Sequence, residues 1–445
     1  MTGSTGTAGG TGSTGPRGDE AQGPDSGGDE LLPSPWGALR LGRFPEEPRD
    51  RLRAWDAADE YLLRYLAGET GEETEKADGE IRALTGGSAG PVVTAGRTVV
   101  VLGDRWGALT TGLAARGAAE ADGADGGPAG DLVQITDSFL GREATRASLA
   151  RLVGPGTSDV RLLTSREAPP ERVDVLVVRV PKSLALLEDQ LHRLAPHLHP
   201  GTVVVGTGMV KEIHTSTLKL FERIVGPTRT SLAVRKARLI LCAPAADLRP
   251  LPNPWPLTYA LGEDEGPAAG LSVTSHAGVF CADRLDIGTR FFLANLPRSR
   301  GAERVVDLGC GNGVLGAALA RRNPAATLVF ADESYQAVAS AEATFRANHP
   351  YGAAEFVVGD GLADEAPGSV DLILNNPPFH SHQATTDTTA WRMFSQARRA
   401  LRTDGELWVV GNRNLGYHLK LRRLFGNCEL IAGDRKFVVL RAVKR

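Results

Sequence analysis

The segment Asn375-Asn376-Pro377-Pro378-Phe379 carries the residue types best suited to chemistry, and it directly follows the apolar run Asp371 to Leu374. A residue that precedes proline is kept out of the α region, so Asn376 and Pro377 are both expected to be extended. The side-chain carbonyl of Asn376 and the backbone carbonyl of Pro377 can then each accept one N–H of an exocyclic amine. These two hydrogen bonds orient the nitrogen lone pair toward an electrophilic carbon, while Phe379 stacks on the base that carries the amine. The segment therefore predicts a site that holds an amino group without needing a strong base.

A glycine-rich turn between an apolar run and a helical segment predicts a second site, one for a nucleotide-like ligand. The run Val305 to Leu308 leads into Gly309-Cys310-Gly311-Asn312-Gly313, where glycine lets the backbone adopt positive φ and approach a ligand closely. Asp332 follows Gly313 by 19 residues, at the end of the next apolar run, and is placed to accept hydrogen bonds from ribose hydroxyls. Asp360 ends the third run, where it can receive an adenine amino group.

Two ligands are compatible with such a turn, a dinucleotide and S-adenosylmethionine. A pyrophosphate requires the spacing G-x-G-x-x-G with no acid beside it. Here the spacing is G-x-G-x-G, and Asp307 precedes Gly309 by two residues, which suits a ligand that carries an ammonium group and a sulfonium. Together with the segment around Asn376, this favours S-adenosylmethionine as the cofactor. The residues predicted to bind it are Asp307, Gly309, Gly311, Gly313, Asp332, Asp360 and Asn376.

Composition places these motifs in a folded chain with a basic C-terminal end. The 445 residues are 42% hydrophobic and 23% charged, which is typical of a globular protein of two or three domains. Residues 391–445 contain 13 Lys or Arg against 4 Asp or Glu, a local balance of +9 in a chain whose net charge is −3. This asymmetry suits a polyanionic partner. The scattered cysteines and the lack of an 18-residue apolar run predict reduced thiols, a cytoplasmic location and no membrane span.

Alternating strand-like and helical segments predict two α/β domains with parallel sheets, over residues 35–250 and 251–445. The region 1–34 is mostly Gly, Ser, Thr and Pro, and it predicts a disordered tail. Two further stretches rich in small and acidic residues, 68–90 and 115–130, predict exposed loop insertions.

The two domains share enough landmarks to predict a duplication. Trp55-Asp56 matches Leu285-Asp286 with an offset of 230, and the turn from Gly103 matches the turn from Gly309. Asp137-Ser138 is aligned with Asp332-Glu333 in this comparison. Asp286 itself is expected to cap the helix that follows it.

Several of these stretches resemble the tandem-domain bacterial ribosomal RNA guanine-N2 methyltransferases. The resemblance rests on Ala331 to Ser340, Asn376 to His380 and Gly411 to His418, and it covers the chain from about residue 36 to the C-terminus. Trp55 to Leu63 resembles the large-subunit (23S) branch, methyltransferase G, more than the small-subunit branch. The resemblance implies two Rossmann-like class I methyltransferase domains, an S-adenosylmethionine cofactor and a large-subunit ribosomal RNA substrate. It also implies that the first domain has lost the cofactor.

The residues of the first domain independently predict that loss. Where the second domain has the Asn376 segment, the first has Val178-Arg179-Val180-Pro181-Lys182, without the amide or the ring, and its turn contains Arg105 and Trp106. This domain is therefore expected to recognise RNA, with Arg105, Arg179 and Lys182 contacting phosphates.

The remaining predictions concern the substrate, metals and competing functions. Catalysis is assigned to Asn376, Pro377 and Phe379, and the RNA substrate to Phe379, His380, Arg413, Arg105, Arg179 and Lys182. No metal is expected, because His380 and His382 lack further ligands at suitable spacing, and the chain is expected to act as a monomer. Alternatives are a small-subunit (16S) guanine target, an amine of adenine or protein glutamine, a non-catalytic RNA-binding protein and, more distantly, an oxidoreductase.

Overall fold

The computed structural model describes residues 31–47, 52–69, 71–85, 92–94, 96–121, 130–152, 160–249, 251–298, 300–378 and 383–445. Residues 1–30 of the predicted tail lie outside this part. The prediction of disorder up to residue 34 is wrong at its end, because Leu32–Ser34 (β1) pairs antiparallel with Gly37–Leu39 (β2). Leu32 is fully buried, and burial of its side chain anchors this short hairpin on the first domain.

The first half of the chain forms an α/β domain around a seven-stranded sheet. Its helices are Ala57–Leu66 (α1), Glu72–Thr85 (α2), Ala108–Ala121 (α3), Phe139–Arg151 (α4), Leu184–Leu194 (α5) and Thr215–Ile224 (α6). Its strands are Val99–Leu102 (β3), Leu132–Thr136 (β4), Arg161–Thr164 (β5), Val173–Arg179 (β6), Leu198–Met209 (β7), Thr228–Thr230 (β8) and Ala237–Cys242 (β9).

One predicted loop insertion is a helix instead. The stretch 68–90 contains α2, whose Ala77 and Ile81 are buried against the first core. These two apolar side chains lie four residues apart, so they share one face of the helix even though the segment is mostly acidic. Of the second predicted insertion, residues 115–121 continue α3 and residues 122–129 lie outside the described residues.

The second half repeats the same architecture. A hairpin of Leu257–Ala260 (β10) and Ser272–Ser275 (β11) precedes it. The helices are Ile287–Ala294 (α7), Val314–Arg322 (α8), Tyr335–Asn348 (α9), Gln383–Ala400 (α10) and Tyr417–Phe425 (α11). The strands are Arg304–Leu308 (β12), Thr327–Asp332 (β13), Ala354–Val358 (β14), Val370–Asn375 (β15), Leu401–Asn412 (β16), Glu429–Gly433 (β17) and Phe437–Val443 (β18).

The two sheets have the same strand order, which agrees with the predicted duplication. The orders are β5-β4-β3-β6-β7-β9-β8 and β14-β13-β12-β15-β16-β18-β17. All pairs are parallel except those made by β9 and β18, which run antiparallel to both neighbours. The central strands are apolar on both faces because helices cover both sides of each sheet. No helix in the described part of the chain is long and apolar enough to cross a membrane.

Strand register corrects one detail of the predicted alignment. Leu102 pairs with Ile135, and Leu308 with Ala331, so Thr136 takes the place of Asp332. Asp137 consequently corresponds to Glu333, one residue later than the sequence comparison placed it.

The two domains meet at these corresponding residues. An antiparallel bridge joins Ser138 to Ser334. The Ser138 hydroxyl donates to Glu333 at 2.6 Å, and the Ser334 hydroxyl donates to Asp137 at 2.5 Å. Ser138 corresponds to Ser334 and Asp137 to Glu333, so exchanging the two domains turns one hydrogen bond into the other. The domains therefore meet through an approximate two-fold axis at this contact. The contact adjoins Asp332, the acid predicted to bind ribose.

Candidate active site

The glycine-rich turn has the predicted conformation. Gly309, Gly311 and Gly313 have φ of +71°, +54° and +75°, a region that side chains other than glycine rarely adopt. A Cβ on Gly313 would lie 2.7 Å from the Cα of Ala341, so only glycine lets α8 pack against α9. A Cβ on Gly311 would meet nothing within 4 Å. The turn therefore packs tightly at its helical end and borders open space at its centre.

Asp307 lies beneath the turn with one carboxylate oxygen still available. Its Oδ2 accepts the backbone N–H of Gly316 at 2.9 Å, which ties the end of β12 to the first turn of α8. Its Oδ1 is buried and has no hydrogen-bond partner within the described residues. Burial raises the pKa of Asp307 to about 7, and the nearby Asp332 carboxylate adds to the increase. A buried, unpaired oxygen of this kind favours a cationic or N–H-bearing ligand.

Asp332 connects the turn to the helix that follows β13. Its Oδ2 accepts from the backbone N–H of Gly311 at 3.1 Å, and its Oδ1 accepts from that of Ser334 at 3.0 Å. Burial raises its pKa, and these backbone donors oppose the increase. The structure therefore brings Asp332 and Gly311 together at the carboxyl edge of the sheet.

Asp360 follows β14 at the same edge, but its carboxylate already has partners. It forms an ion pair with Arg392 Nε at 3.2 Å, and Gln396 Nε2 lies 3.4 Å from its Oδ2. Burial raises the pKa of Asp360 and the Arg392 charge lowers it. Its predicted contact with an adenine amine stays a prediction, and such an amine would share this carboxylate with α10.

The two asparagines at the end of β15 have different roles. Asn375 is fully buried, and its Nδ2 donates to the carbonyl of Leu308 at 2.7 Å, which joins β15 to β12. Asn376 directs its Nδ2 to the hydroxyl of Thr289 in α7 at 3.1 Å. Its Oδ1 is buried with no hydrogen-bond partner in the described part of the chain. The amide that was predicted to accept an N–H therefore has its acceptor atom unoccupied.

Of the residues around Asn376, Pro377 is described and buried, whereas Phe379 and His380 lie outside the described residues. Their roles in stacking on and contacting the substrate stay predictions. Sequence reasoning missed Thr289. The offset of 230 that aligns Asp56 with Asp286 also aligns Asp59 with Thr289, and this was the available signal.

Asp286 caps α7, as predicted. Its carboxylate accepts from the backbone N–H groups of Gly288 at 2.9 Å and Thr289 at 3.2 Å. The cap fixes the first turn of α7, which is the turn that presents Thr289 to Asn376.

Arg413 follows β16, the parallel neighbour of β15, and so lies at the same edge as Asn376. Its backbone N–H donates to the carbonyl of Lys436, and its guanidinium donates to that of Asp434 at 3.0 Å through Nε. Arg413 is exposed, and so are Arg435 and Lys436, which lie in the turn between β17 and β18. The arrangement presents positive side chains to solvent beside the predicted site.

In the first domain, the prediction that Arg179 contacts phosphate is wrong. Arg179 takes the place of Asn376, but its side chain is only 1% exposed. Its guanidinium pairs with Asp56 at 2.7 Å, Asp59 at 3.2 Å and Glu212 at 3.1 Å. This guanidinium is buried and its charge is paired with three carboxylates, so it is not exposed to an RNA phosphate.

The other two basic residues differ in availability. Arg105 stands where the second domain has Gly311, and it pairs with Glu212 at 2.9 Å and with Asp56 at 3.6 Å while 34% of its side chain is exposed. Lys182 is exposed. The ion-pair network of Arg105 and Arg179 fills the region where the second domain has its open turn. A group of three or more side chains suited to a metal ion is absent from the described residues.

Comparison with known families gives two matches that together cover most of the chain. The RLMG N-terminal domain family matches residues 29–246, and the methyltransferase small domain family matches residues 270–441.

Curated relatives match along nearly the whole chain. The ribosomal RNA large subunit methyltransferase G of Streptomyces avermitilis is 66% identical over 417 residues, covering 94% of this chain and 100% of the relative. The protein of the same name from Pseudomonas aeruginosa is 47% identical over 418 residues, covering 93% and 100%.

A solved structure has the same fold across both domains. The 16S rRNA N2 G1207 methyltransferase of T. thermophilus, in complex with AdoMet and guanosine, has a TM-score of 0.65 at 21% identity. The match covers 93% of this chain and 97% of that one.

Proposed function

The chain belongs to the ribosomal RNA large subunit methyltransferase G family, and from that premise we propose its reaction. It transfers a methyl group from S-adenosylmethionine to the exocyclic N2 amine of a guanine in large-subunit ribosomal RNA. The observation that carries this proposal is the buried, unpartnered Oδ1 of Asn376 at the carboxyl edge of the second sheet. An acceptor atom left unpaired inside a protein is costly, and a ligand N–H removes that cost.

The residues around the glycine-rich turn fit S-adenosylmethionine. The open space at Gly311 admits a ligand against the backbone. The free Oδ1 of Asp307 suits the cationic amino acid end, and we expect Asp332, which lies beside Gly311, to accept from the ribose hydroxyls. The cofactor, when bound, supplies a methyl group activated by a positively charged sulfur.

The chain's own residues then hold the accepting amine. Asn376 Oδ1 and the Pro377 carbonyl each accept one N–H, so the lone pair of the nitrogen is directed away from both. With the cofactor bound, this nitrogen would take the methyl group as the carbon–sulfur bond breaks, and one proton would leave the nitrogen for solvent. Positioning supplies most of the acceleration because the methyl donor is already activated.

The exposed basic residues Arg413, Arg435 and Lys436 support RNA rather than a protein as the substrate. These exposed cations lie at the edge that holds Asn376, where they can contact the phosphates that flank the target base. A guanine must be splayed out or single-stranded to reach the site, and phosphate contacts beside it fix the register of the strand.

The first domain is proposed to recognise RNA without binding the cofactor. Arg105 and Arg179 occupy the positions of Gly311 and Asn376 and pair with carboxylates there, so this domain lacks the open glycine turn and the free amide oxygen proposed to serve the second site. The catalytic region is accordingly residues 251–445, and residues 35–250 recognise RNA through exposed side chains such as Lys182. We propose that the chain acts as a monomer, since its two domains already pack on each other within one chain.

The test is methyl transfer by the purified chain to unmodified 23S ribosomal RNA under single-turnover conditions. Digestion and mass spectrometry should find N2-methylguanosine in 23S RNA and not in 16S RNA. Asn376→Ala should slow transfer by about 100-fold, the usual scale for a lost polar contact to the reacting group. Its affinities for S-adenosylmethionine and RNA should stay close to those of the wild type. Methyl groups found on adenine or on protein glutamine, or full activity in Asn376→Ala, would contradict the proposal.

A further inference from the structure

The hydroxyl of Thr289 is the group that holds the Asn376 amide. Thr289 is 8% exposed and lies in the first turn of α7, where the Asp286 carboxylate accepts its backbone N–H at 3.2 Å. Its Oγ1 lies 3.1 Å from Asn376 Nδ2. The hydroxyl therefore sits on a capped, buried helix turn and contacts one end of the amide only.

The chemistry at Asn376 depends on which end of the amide points where. An exocyclic amine brings N–H donors, so it needs the carbonyl oxygen and would be repelled by the amide NH2. With Nδ2 engaged by Thr289, Oδ1 is the atom left without a partner. Rotation of the amide by half a turn would place a donor where an acceptor is required.

The first domain has a contact between the corresponding positions. Arg179 takes the place of Asn376 and Asp59 takes the place of Thr289, and the two side chains pair at 3.2 Å. Arginine can only donate and an ionised carboxylate can only accept. Arg179 at the end of β6 therefore donates to the first turn of α1. Asn376, which directly follows β15, likewise donates to the first turn of α7.

We propose that Thr289 is a positioning residue for methyl transfer: its hydroxyl holds the Asn376 amide through the hydrogen bond to Nδ2, with Oδ1 left for the accepting amine. The inference rests on the proposed function, because it concerns how Asn376 meets that amine. Thr289 itself contacts neither the amine nor the cofactor in this role.

The test is a double-mutant cycle on the single-turnover rate with saturating RNA and cofactor. Thr289→Val keeps the shape of the side chain and removes the hydroxyl, and it should lower the rate about tenfold, equivalent to about 1.4 kcal/mol of activation free energy. Thr289→Ser returns the hydroxyl and should recover most of the rate. In an Asn376→Ala background, Thr289→Val should change the rate by less than about twofold, because the amide it orients is gone.

Three readouts separate positioning from a structural role. Thr289→Val should leave the affinities for S-adenosylmethionine and RNA unchanged, so the loss appears in the rate at saturation rather than in KM. Thr344→Val is the matched control, since Thr344 is a buried threonine of the same domain whose hydroxyl bonds to Thr274 in β11, away from Asn376. This control should transfer methyl groups at the wild-type rate.

Two outcomes would overturn the inference while leaving the proposed function intact. One is an unchanged rate in Thr289→Val, and the other is an equal loss in the wild-type and Asn376→Ala backgrounds. A wild-type chain that methylates no guanine would instead overturn the proposed function, so the two failures are distinguishable.

Discussion

Replacing Arg179 with methionine tests whether this residue stabilises the first domain or binds RNA. Methionine fills a similar volume but removes the charge that pairs with Asp56, Asp59 and Glu212. Removing one partner of a buried ion pair costs about 3 to 5 kcal/mol. Arg105 still pairs with Glu212 at 2.9 Å and with Asp56 at 3.6 Å, so Asp59 is the carboxylate that loses most. The expected loss in the free energy of unfolding is therefore at the lower end, about 3 kcal/mol.

The loss of stability in Arg179→Met should depend on pH, because Asp59 titrates. Burial raises the pKa of Asp59, and the charge of Arg179 opposes that increase. A carboxyl group with a raised pKa stabilises the fold below its unfolded pKa and loses that contribution as pH rises toward its folded pKa. Without Arg179 the folded pKa rises further, so the loss continues to higher pH. The difference between Arg179→Met and wild type should accordingly be larger at pH 8 than at pH 6.

The assay is urea unfolding followed by tryptophan fluorescence, to which Trp36, Trp55 and Trp106 contribute from the first domain. Lys182→Met is the matched control, because Lys182 follows the same strand but is exposed, and it should leave stability unchanged. Adding Asp59→Asn to Arg179→Met should recover about 1 kcal/mol or more, since it removes a buried carboxyl group that must otherwise be protonated or left unpaired. If Arg179→Met kept wild-type stability and bound RNA more weakly and with less salt dependence, this reasoning would be refuted. Arg179 would then be a phosphate contact, as the sequence predicted.

Other predictions concern the second domain. Gly313→Ala should lower stability by about 2 to 4 kcal/mol, from positive-φ strain and the contact with α9; Gly311→Ala should cost only the strain and chiefly weaken S-adenosylmethionine binding. Urea unfolding measures the stability of each variant, and calorimetry measures its affinity for S-adenosylmethionine. Equal destabilisation by both variants would contradict the difference in packing between Gly313 and Gly311. Glu333→Gln should flatten the decline in the free energy of unfolding between pH 5 and 7, because burial raises the pKa of Glu333 to about 7; an unaltered pH profile would show that Glu333 is not the titrating group. Binding of the cationic cofactor should strengthen from pH 5.5 to 7 as Asp307 ionises, and Asp307→Asn should abolish that trend in calorimetry.

The sequence predicted the architecture well because the relevant signals are local. Apolar runs, glycine positions and helix caps such as Asp286 each occupy a few consecutive residues, and they predicted two α/β domains with the turn at Gly309 and the loop at Asn376. The sheets were predicted to be parallel, whereas β9 and β18 run antiparallel to their neighbours. The alignment of Asp137 with Asp332 failed by one residue, because only strand pairing fixes register at the end of β4 and β13.

Contacts between distant segments could not be predicted in the same way. Arg179 is separated by 123 residues from Asp56 and by 33 from Glu212, so nothing near it in the sequence shows that it is buried in an ion-pair network. Its basic character alone suggested phosphate binding. The link from Asn376 to Thr289 spans 87 residues, and the structure shows it directly.

The most direct test of the central claim is a map of methylated guanines in ribosomal RNA from cells with and without this chain. Mass spectrometry of 23S fragments should show one N2-methylguanosine that disappears without the chain, returns with the wild-type sequence and does not return with Asn376→Ala. Every 16S methylguanine should stay unchanged. A 23S profile that is identical with and without the chain, or a site that Asn376→Ala restores fully, would contradict the account.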